Sequence, residues 1–126
     1  MRLLLDTHIL LWAFAGDRRL STAARDAILD DANEVFVSAA SLWEASIKRA
    51  VGKLDFDSAK VLAELDYNGF RELPVTIRHV VAAGDLPPHH KDPFDRLLIA
   101  QAAAEGLTVV TADAALRPYG VAALWT

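Results

Sequence analysis

Four acidic residues occupy positions from which they could act together on a phosphate ester. Asp6 directly follows an apolar run, Glu44 lies early in an amphipathic segment, Asp95 lies just inside a segment opened by a proline, and Asp113 follows another apolar run by two residues. Carboxylates that lie close together repel one another, and a bound cation commonly offsets this repulsion. A hard ion held by oxygen ligands, Mg²⁺ or Mn²⁺, can assist phosphodiester hydrolysis.

The chain must bring these acids together, and its pattern predicts alternating strands and helices. Apolar and β-branched runs predict five strands, at residues 2–5, 34–37, 70–73, 107–111 and 121–124. Capping residues and glycine or asparagine stops predict helices at residues 7–14, 21–31, 40–51, 58–67, 76–83 and 93–105. This alternation predicts an α/β domain with a largely parallel sheet. The four acids then fall at the carboxyl edge of the strands, where open α/β sheets bind ligands.

Each acid also has a purely structural interpretation. Asp6 and Asp113 can cap the helices that follow them. Ser41 and Glu44 fit the S-x-x-E capping box. Asp95, in the first turn of its helix, suits the positive end of the helix dipole. Helix caps are normally spread around a fold. These four acids instead share one edge of the sheet, which we call the acidic rim, and this favours a common role.

The composition limits both the kind of protein and the kind of site. The 126 residues suffice for one hydrophobic core, so we expect a single domain spanning 1–126. Cysteine is absent, which excludes disulfide scaffolds and thiolate metal sites. With 17 acidic and 13 basic residues the net charge is −4, which argues against a broad basic surface for nucleic acid but permits a local one.

The sequence gives little sign of a membrane or export segment. No apolar run reaches the length of about 20 residues that a bilayer-spanning helix needs. The N-terminal stretch imitates a secretory signal, but Asp6 and His8 interrupt its apolar part. We therefore expect a cytoplasmic protein with no membrane partner.

Four sequence blocks resemble the PIN domain, and more narrowly the VapC-type toxin ribonucleases of toxin–antitoxin pairs. In chain order the blocks are LLLDTHILLW, VSAASLWEASIKRAVGKL, HHKDPFDRLLIAQA and TVVTAD, of which DPFDRLLIAQA is the most specific part. The resemblance implies a three-layer α/β/α sandwich with a five-stranded, mostly parallel sheet. It also implies Mg²⁺- or Mn²⁺-dependent endonuclease action on RNA, a cognate antitoxin that inhibits the site, and a homodimer that joins the antitoxin in a hetero-oligomer.

Carried over residue by residue, the resemblance assigns four positions to the family's acidic quartet: Asp6, Glu44, Asp95 and Asp113. As a hypothesis, Asp6 and Asp95 would ligate the principal ion. Asp113 and Glu44 would bind it through water or help to hold a second ion. The ion would activate a water molecule for attack on the phosphorus.

Four further residues are candidates for substrate contact. Lys48 and Arg49, with Lys53 just after the helix, form a basic strip that could bind phosphates or be a solvated helix face. Arg96 could steady the carboxylates or bind a phosphate, and Thr111 could orient a water molecule or act as a cap. His90, which precedes the same helix as Arg96, is expected to support the structure or contact RNA rather than bind metal.

Two other functions are compatible with parts of this pattern. A phospho-acceptor receiver module also combines clustered aspartates and Mg²⁺ with a parallel sheet. It would need adjacent acids after the first strand, an aspartate ending the third and a lysine ending the fifth, and none of these is present. A PIN-fold module that binds without cleaving is the other alternative, although all four acids are present. RNA cleavage that needs the metal, or phosphate transfer to an aspartate, would distinguish these functions.

Overall fold

The central layer is a sheet of five parallel strands. The computed structural model describes residues 1–126. Its strands are β1 (Arg2–Leu5), β2 (Glu34–Ser38), β3 (Arg71–Leu73), β4 (Thr108–Thr111) and β5 (Ala123–Trp125). They lie in the order β3-β2-β1-β4-β5, and every neighbouring pair is parallel. The order reverses between β1 and β4, and open sheets bind ligands at such a point.

Six α-helices and one 3₁₀ helix connect the strands. They are α1 (Thr7–Ala15), α2 (Thr22–Leu29), α3 (Ala39–Ala50), α4 (Ser58–Tyr67), α5 (Ile77–Asp85), α6 (Pro93–Glu105) and the 3₁₀ helix Ala114–Tyr119. Gly106 ends α6 with φ at 66°, a left-handed conformation that glycine adopts without steric cost. Even α6, with 13 residues, falls short of a bilayer-spanning segment, and the other helices also lack the length and apolar character for that role.

Alternate residues of β1 contribute to two separate cores on opposite faces of the sheet. Leu3 and Leu5 pack in the same cluster as Ile9 of α1. Leu4 packs in a second cluster with Leu98 of α6, as the two-residue period of a strand requires. Helices therefore cover both faces, and the predicted α/β/α sandwich is confirmed. Because β1 is completely buried over residues 3–5, the residue that follows it is firmly placed.

The start of α3 differs from the prediction. The helix begins at Ala39, and the hydroxyl of Ser38 caps it by accepting from the backbone N–H of Ala40 at 3.1 Å. The predicted capping box of Ser41 and Glu44 is therefore wrong. The reason is that β2 runs directly into the helix, so that Glu44 lies in the second turn and its carboxylate is not used for capping.

Several other boundaries differ from the predicted ones by one or two residues. The helix α5 continues through Gly84 to Asp85, instead of ending at residue 83, because Gly84 keeps a negative φ. The strand β5 begins at Ala123, two residues later than predicted. The chain first leaves the 3₁₀ helix through Gly120, whose φ is 66°, and this delays the strand.

The strand order also excludes the receiver module. Receiver-type sheets have the order 2-1-3-4-5, whereas β1 here lies at the centre of the sheet between β2 and β4. That alternative is therefore wrong on topology, as well as lacking the acids and the lysine that it requires.

Candidate active site

The carboxyl ends of β1 and β4 place two acids side by side. Leu5 pairs in register with Val110, and the backbone N–H of Asp6 donates to the Val110 carbonyl at 3.0 Å. The Thr111 hydroxyl donates to Asp6 Oδ2 at 2.8 Å and accepts from the backbone N–H of Asp113 at 3.0 Å. One threonine thus connects the acid after β1 to the acid after β4.

Asp6 and Asp113 also cap helices, as their structural interpretation predicts. Asp6 Oδ1 accepts from the backbone N–H of His8 at 2.8 Å, and Asp113 Oδ1 accepts from that of Ala115 at 2.9 Å. The second oxygen of Asp113 makes no hydrogen bond and lies 3.9 Å from His90 Nε2. Capping therefore uses one oxygen of each carboxylate and leaves the other oxygen at the rim.

Glu44 reaches the same rim from α3. Its Oε1 accepts from the hydroxyl of Thr7 at 2.7 Å, and its Oε2 lies 3.0 Å from Lys48 Nζ. Thr7 follows Asp6 in the chain, so its hydroxyl connects the third acid to the end of β1. Both Asp6 and Glu44 are only 6% exposed, so the rim contains two carboxylates with little access to water.

Asp95 comes from the start of α6. Asp92 caps this helix by accepting from backbone N–H groups of its first turn. Asp95 Oδ2 lies 2.8 Å from His90 Nε2. The potential ligand atoms of His90, Asp95 and Asp113 all lie within 4.8 Å of one another. The sequence could not predict this grouping, because a five-residue separation across a helix start has no fixed geometry.

Burial and repulsion perturb the carboxylates of this rim. Burial, followed by the charge of Asp92, raises the pKa of Asp95 to about 6. The charges of Asp6 and Glu44 act on that pKa in the same direction, whereas the hydrogen bond with His90 opposes them. Burial also raises the pKa of Asp6 by more than its hydrogen bonds lower it. Two carboxylates therefore hold protons more readily than usual, mainly because they are buried and in part because they lie near other carboxylates.

Of the predicted basic strip, only Lys48 faces the acids. Burial lowers the pKa of Lys48, but the hydrogen bond and charge of Glu44 and the acids at the start of α6 outweigh burial, so the pKa is raised. Arg49 turns away: its guanidinium donates to the carbonyl of Phe56 at 3.3 Å and lies 5.3 Å from the centroid of that ring. The structure therefore separates two residues that the sequence placed in one phosphate-binding strip.

Arg96 has a structural role that the sequence did not reveal. Its two terminal nitrogens donate to the carbonyls of Ala83 at 2.8 Å, Leu86 at 3.0 Å and Pro87 at 3.0 Å. A longer bond of 3.4 Å reaches the carbonyl of His90. The guanidinium thus holds the loop between α5 and α6 in place. It binds these carbonyl groups, whereas the sequence predicted a contact with a phosphate.

Comparison with known proteins gives a consistent match over the whole chain. A family model described as PIN domain matches residues 3–121. Ribonuclease VapC22 from Mycobacterium tuberculosis (strain ATCC 25618 / H37Rv) is 35% identical over 124 residues, which cover 92% of this chain and 90% of that protein.

Several solved structures share the fold. VapBC2 from Rickettsia felis, bound to a promoter DNA fragment, superposes with a TM-score of 0.70 at 17% identity and covers 98% of both chains. DNA-bound VapBC from Salmonella typhimurium gives 0.69 at 16% identity over 98% of this chain and 97% of that chain. FitAcB from Neisseria gonorrhoeae gives 0.62 at 21% identity over 97% and 96%, respectively. At these identities the likeness concerns the fold alone.

Arg96→Lys is expected to destabilise the protein by about 2 kcal/mol, because one ammonium cannot replace a guanidinium that serves three carbonyls from two nitrogens. Denaturant unfolding measures this loss. Arg78→Lys is the matched control, since Arg78 is exposed on α5 and makes no side-chain hydrogen bond, and it should change stability by less than about 0.5 kcal/mol. Equal effects of the two substitutions would contradict the assigned role.

Without divalent ions, the raised pKa of Asp95 should make the fold more stable as the pH falls. A carboxyl with a pKa of about 6 when folded and 3.8 in its ordinary state binds its proton more tightly in the native state, so its contribution grows as the pH falls through 6 and is lost above it. From about pH 7.5 to 5, the wild type should gain about 1 kcal/mol relative to Asp95→Asn. Denaturant unfolding in EDTA measures the difference, and parallel pH profiles would contradict it.

Proposed function

This chain belongs to the PIN domain family, and we propose that it is a VapC-type toxin, an endoribonuclease that depends on Mg²⁺ or Mn²⁺. The observation that carries the proposal is the convergence of acids from four separate elements at the ends of β1 and β4. Hydroxyls of Thr7 and Thr111 connect three of these acids, and His90 lies between the fourth, Asp95, and Asp113. The name of the 35% identical relative, a ribonuclease, supports the same activity.

The residues of the rim fit a divalent cation. The donors are carboxylate oxygens and one imidazole, with no thiolate, a set that suits Mg²⁺ and Mn²⁺. Burial is the main cause of the raised pKa of Asp6 and Asp95, and neighbouring carboxylates add to it; a bound cation would favour the charged form of both groups. We infer that Asp6 and Asp95 hold the ion, with Glu44 and Asp113 assisting. Such an ion supplies Lewis acidity toward the phosphate and lowers the pKa of water.

The surrounding residues orient and balance this set. The Thr111 and Thr7 hydroxyls donate to the carboxylates of Asp6 and Glu44, respectively, which restrains the orientation of each carboxylate. Lys48 neutralises part of the charge of Glu44 and keeps a third of its side chain exposed. Lys48 is the only Lys or Arg side chain at ion-pair distance from the four acids. We propose that it also binds a backbone phosphate of RNA.

We further propose a cytoplasmic toxin that a cognate antitoxin inhibits and that forms a homodimer. Relatives of the same fold include VapBC pairs from two bacteria, which favours an antitoxin partner. Trp43 and Ile47 on α3 and Val51 directly after it recur every four residues and are 63%, 37% and 63% exposed. An exposed apolar stripe of this kind favours contact with another protein.

The function is tested by incubating the purified chain, free of any partner, with RNA in Mg²⁺, in Mn²⁺ and in EDTA. We expect cleavage with either metal and none in EDTA, and a loss of about a hundredfold or more in Asp6→Asn and Asp95→Asn, because each substitution removes a charge from the metal site. Asp26→Asn is the matched control, since Asp26 is exposed on α2, and it should cleave like the wild type.

Three other outcomes would contradict parts of the proposal. Undiminished cleavage in EDTA would exclude metal dependence. Equal cleavage by Asp95→Asn and Asp26→Asn would exclude the acidic site. RNA binding without cleavage under every metal condition would favour a PIN-fold binding module.

A further inference from the structure

His90 lies at the edge of the acidic rim in a geometry suited to a metal ligand. Its Nε2 is 2.8 Å from Asp95 Oδ2 and 3.9 Å from Asp113 Oδ2. Neighbouring ligands of one ion lie about 3 Å apart when each ligand is about 2.1 Å from the metal in octahedral geometry. The two measured separations thus bracket the value expected for ligands that share an ion.

The backbone of His90 is held in place by contacts outside the acidic rim. Its N–H donates to the Tyr119 hydroxyl at 2.9 Å, and its carbonyl accepts from Arg96 at 3.4 Å. Arg96 also donates to Leu86 and Pro87 in the same loop. An imidazole on a fastened backbone loses little freedom on binding a metal, and such preorganisation favours binding.

The imidazole is also available to a metal. The side chain of His90 is 25% exposed, and that of Asp113 is 43% exposed, so an ion can approach from solvent. Without an ion, Nε2 donates to the Asp95 carboxylate, whereas Nδ1 makes no hydrogen bond with the protein. The ring proton can therefore move to Nδ1 when a metal binds the Nε2 lone pair. By contrast, His79 has both ring nitrogens engaged, with the backbone of Thr76 and with Glu105.

We propose that His90 is a direct nitrogen ligand of the divalent ion, together with Asp95 and Asp113, and that it makes the site prefer Mn²⁺ to Mg²⁺. The preference follows because imidazole suits transition metals, whereas Mg²⁺ strongly prefers oxygen. This inference rests on the proposed metal-dependent function; it adds His90 to the acidic quartet and makes the assisting role of Asp113 that of a direct ligand. The competing role for His90 is a hydrogen bond that orients Asp95 without touching the ion.

Electron spin-echo spectroscopy of the full-length protein loaded with Mn²⁺ separates these two roles. A directly bound imidazole gives a ¹⁴N coupling to the manganese, whereas a histidine that only orients Asp95 does not. We expect the coupling in the wild type and its loss in His90→Gln. His89→Gln and His8→Gln are the matched controls: His89 is the exposed neighbour, and His8 Nδ1 lies 3.9 Å from Asp6. Both controls should keep the coupling.

Metal affinity gives a second readout that does not depend on catalysis. Calorimetric titration should show Mn²⁺ binding weakened by about tenfold or more in His90→Gln, with a change of less than about threefold for Mg²⁺. Thermal melting in EDTA checks that the variant folds.

The outcomes also separate this inference from the function on which it rests. Bound Mn²⁺ without ¹⁴N coupling, or a coupling that persists in His90→Gln, would overturn ligation by His90 while leaving the metal-dependent function intact. A wild-type protein that binds neither ion would overturn both.

Discussion

The fold brings four carboxylates close together where β1 and β4 end. Their mutual repulsion and their burial cost free energy, and the surrounding structure must offset that cost. Asp6 and Glu44 are almost completely buried, and Lys48 offers the only ammonium or guanidinium at ion-pair distance from the quartet. Once the four rim acids are set aside, the remaining acidic and basic residues of the chain are equal in number. The four rim acids thus account for the excess negative charge of the protein, which a divalent cation at the rim would offset.

The fold maintains this arrangement through rigid parts. The first strand is buried on both faces, so Asp6 has a fixed origin, and Thr111 connects it to the end of β4. Glu44 and Asp95 project from helices whose starts are capped by other residues, which leaves their carboxylates free of capping. The mixed use of Asp6 and Asp113, one oxygen for a cap and one for the rim, explains why the structural and functional interpretations are compatible.

The structural features that could be predicted from the sequence are those with short-range causes. Alternating apolar runs and caps such as Asp92 predicted the parallel α/β sheet, and the placement of acids after strands predicted their common edge. The capping box at Ser41 failed because β2 runs straight into its helix, a continuity that local motifs do not reveal. The role of Arg96 depends on carbonyl groups supplied by another helix and a loop, and backbone acceptors have no sequence signature. The contact of His90 with Asp95 depends on that same loop.

We propose that the rim requires a divalent cation to offset its buried charge. The most direct test is thermal unfolding of the wild type and Asp6→Asn in EDTA and in Mg²⁺, with ionic strength matched by NaCl so that screening is equal. Ligand linkage predicts that Mg²⁺ raises the Tm of the wild type, while Asp6→Asn, no less stable than the wild type in EDTA, gains little. An equal rise in both proteins, or none in the wild type, would contradict the account.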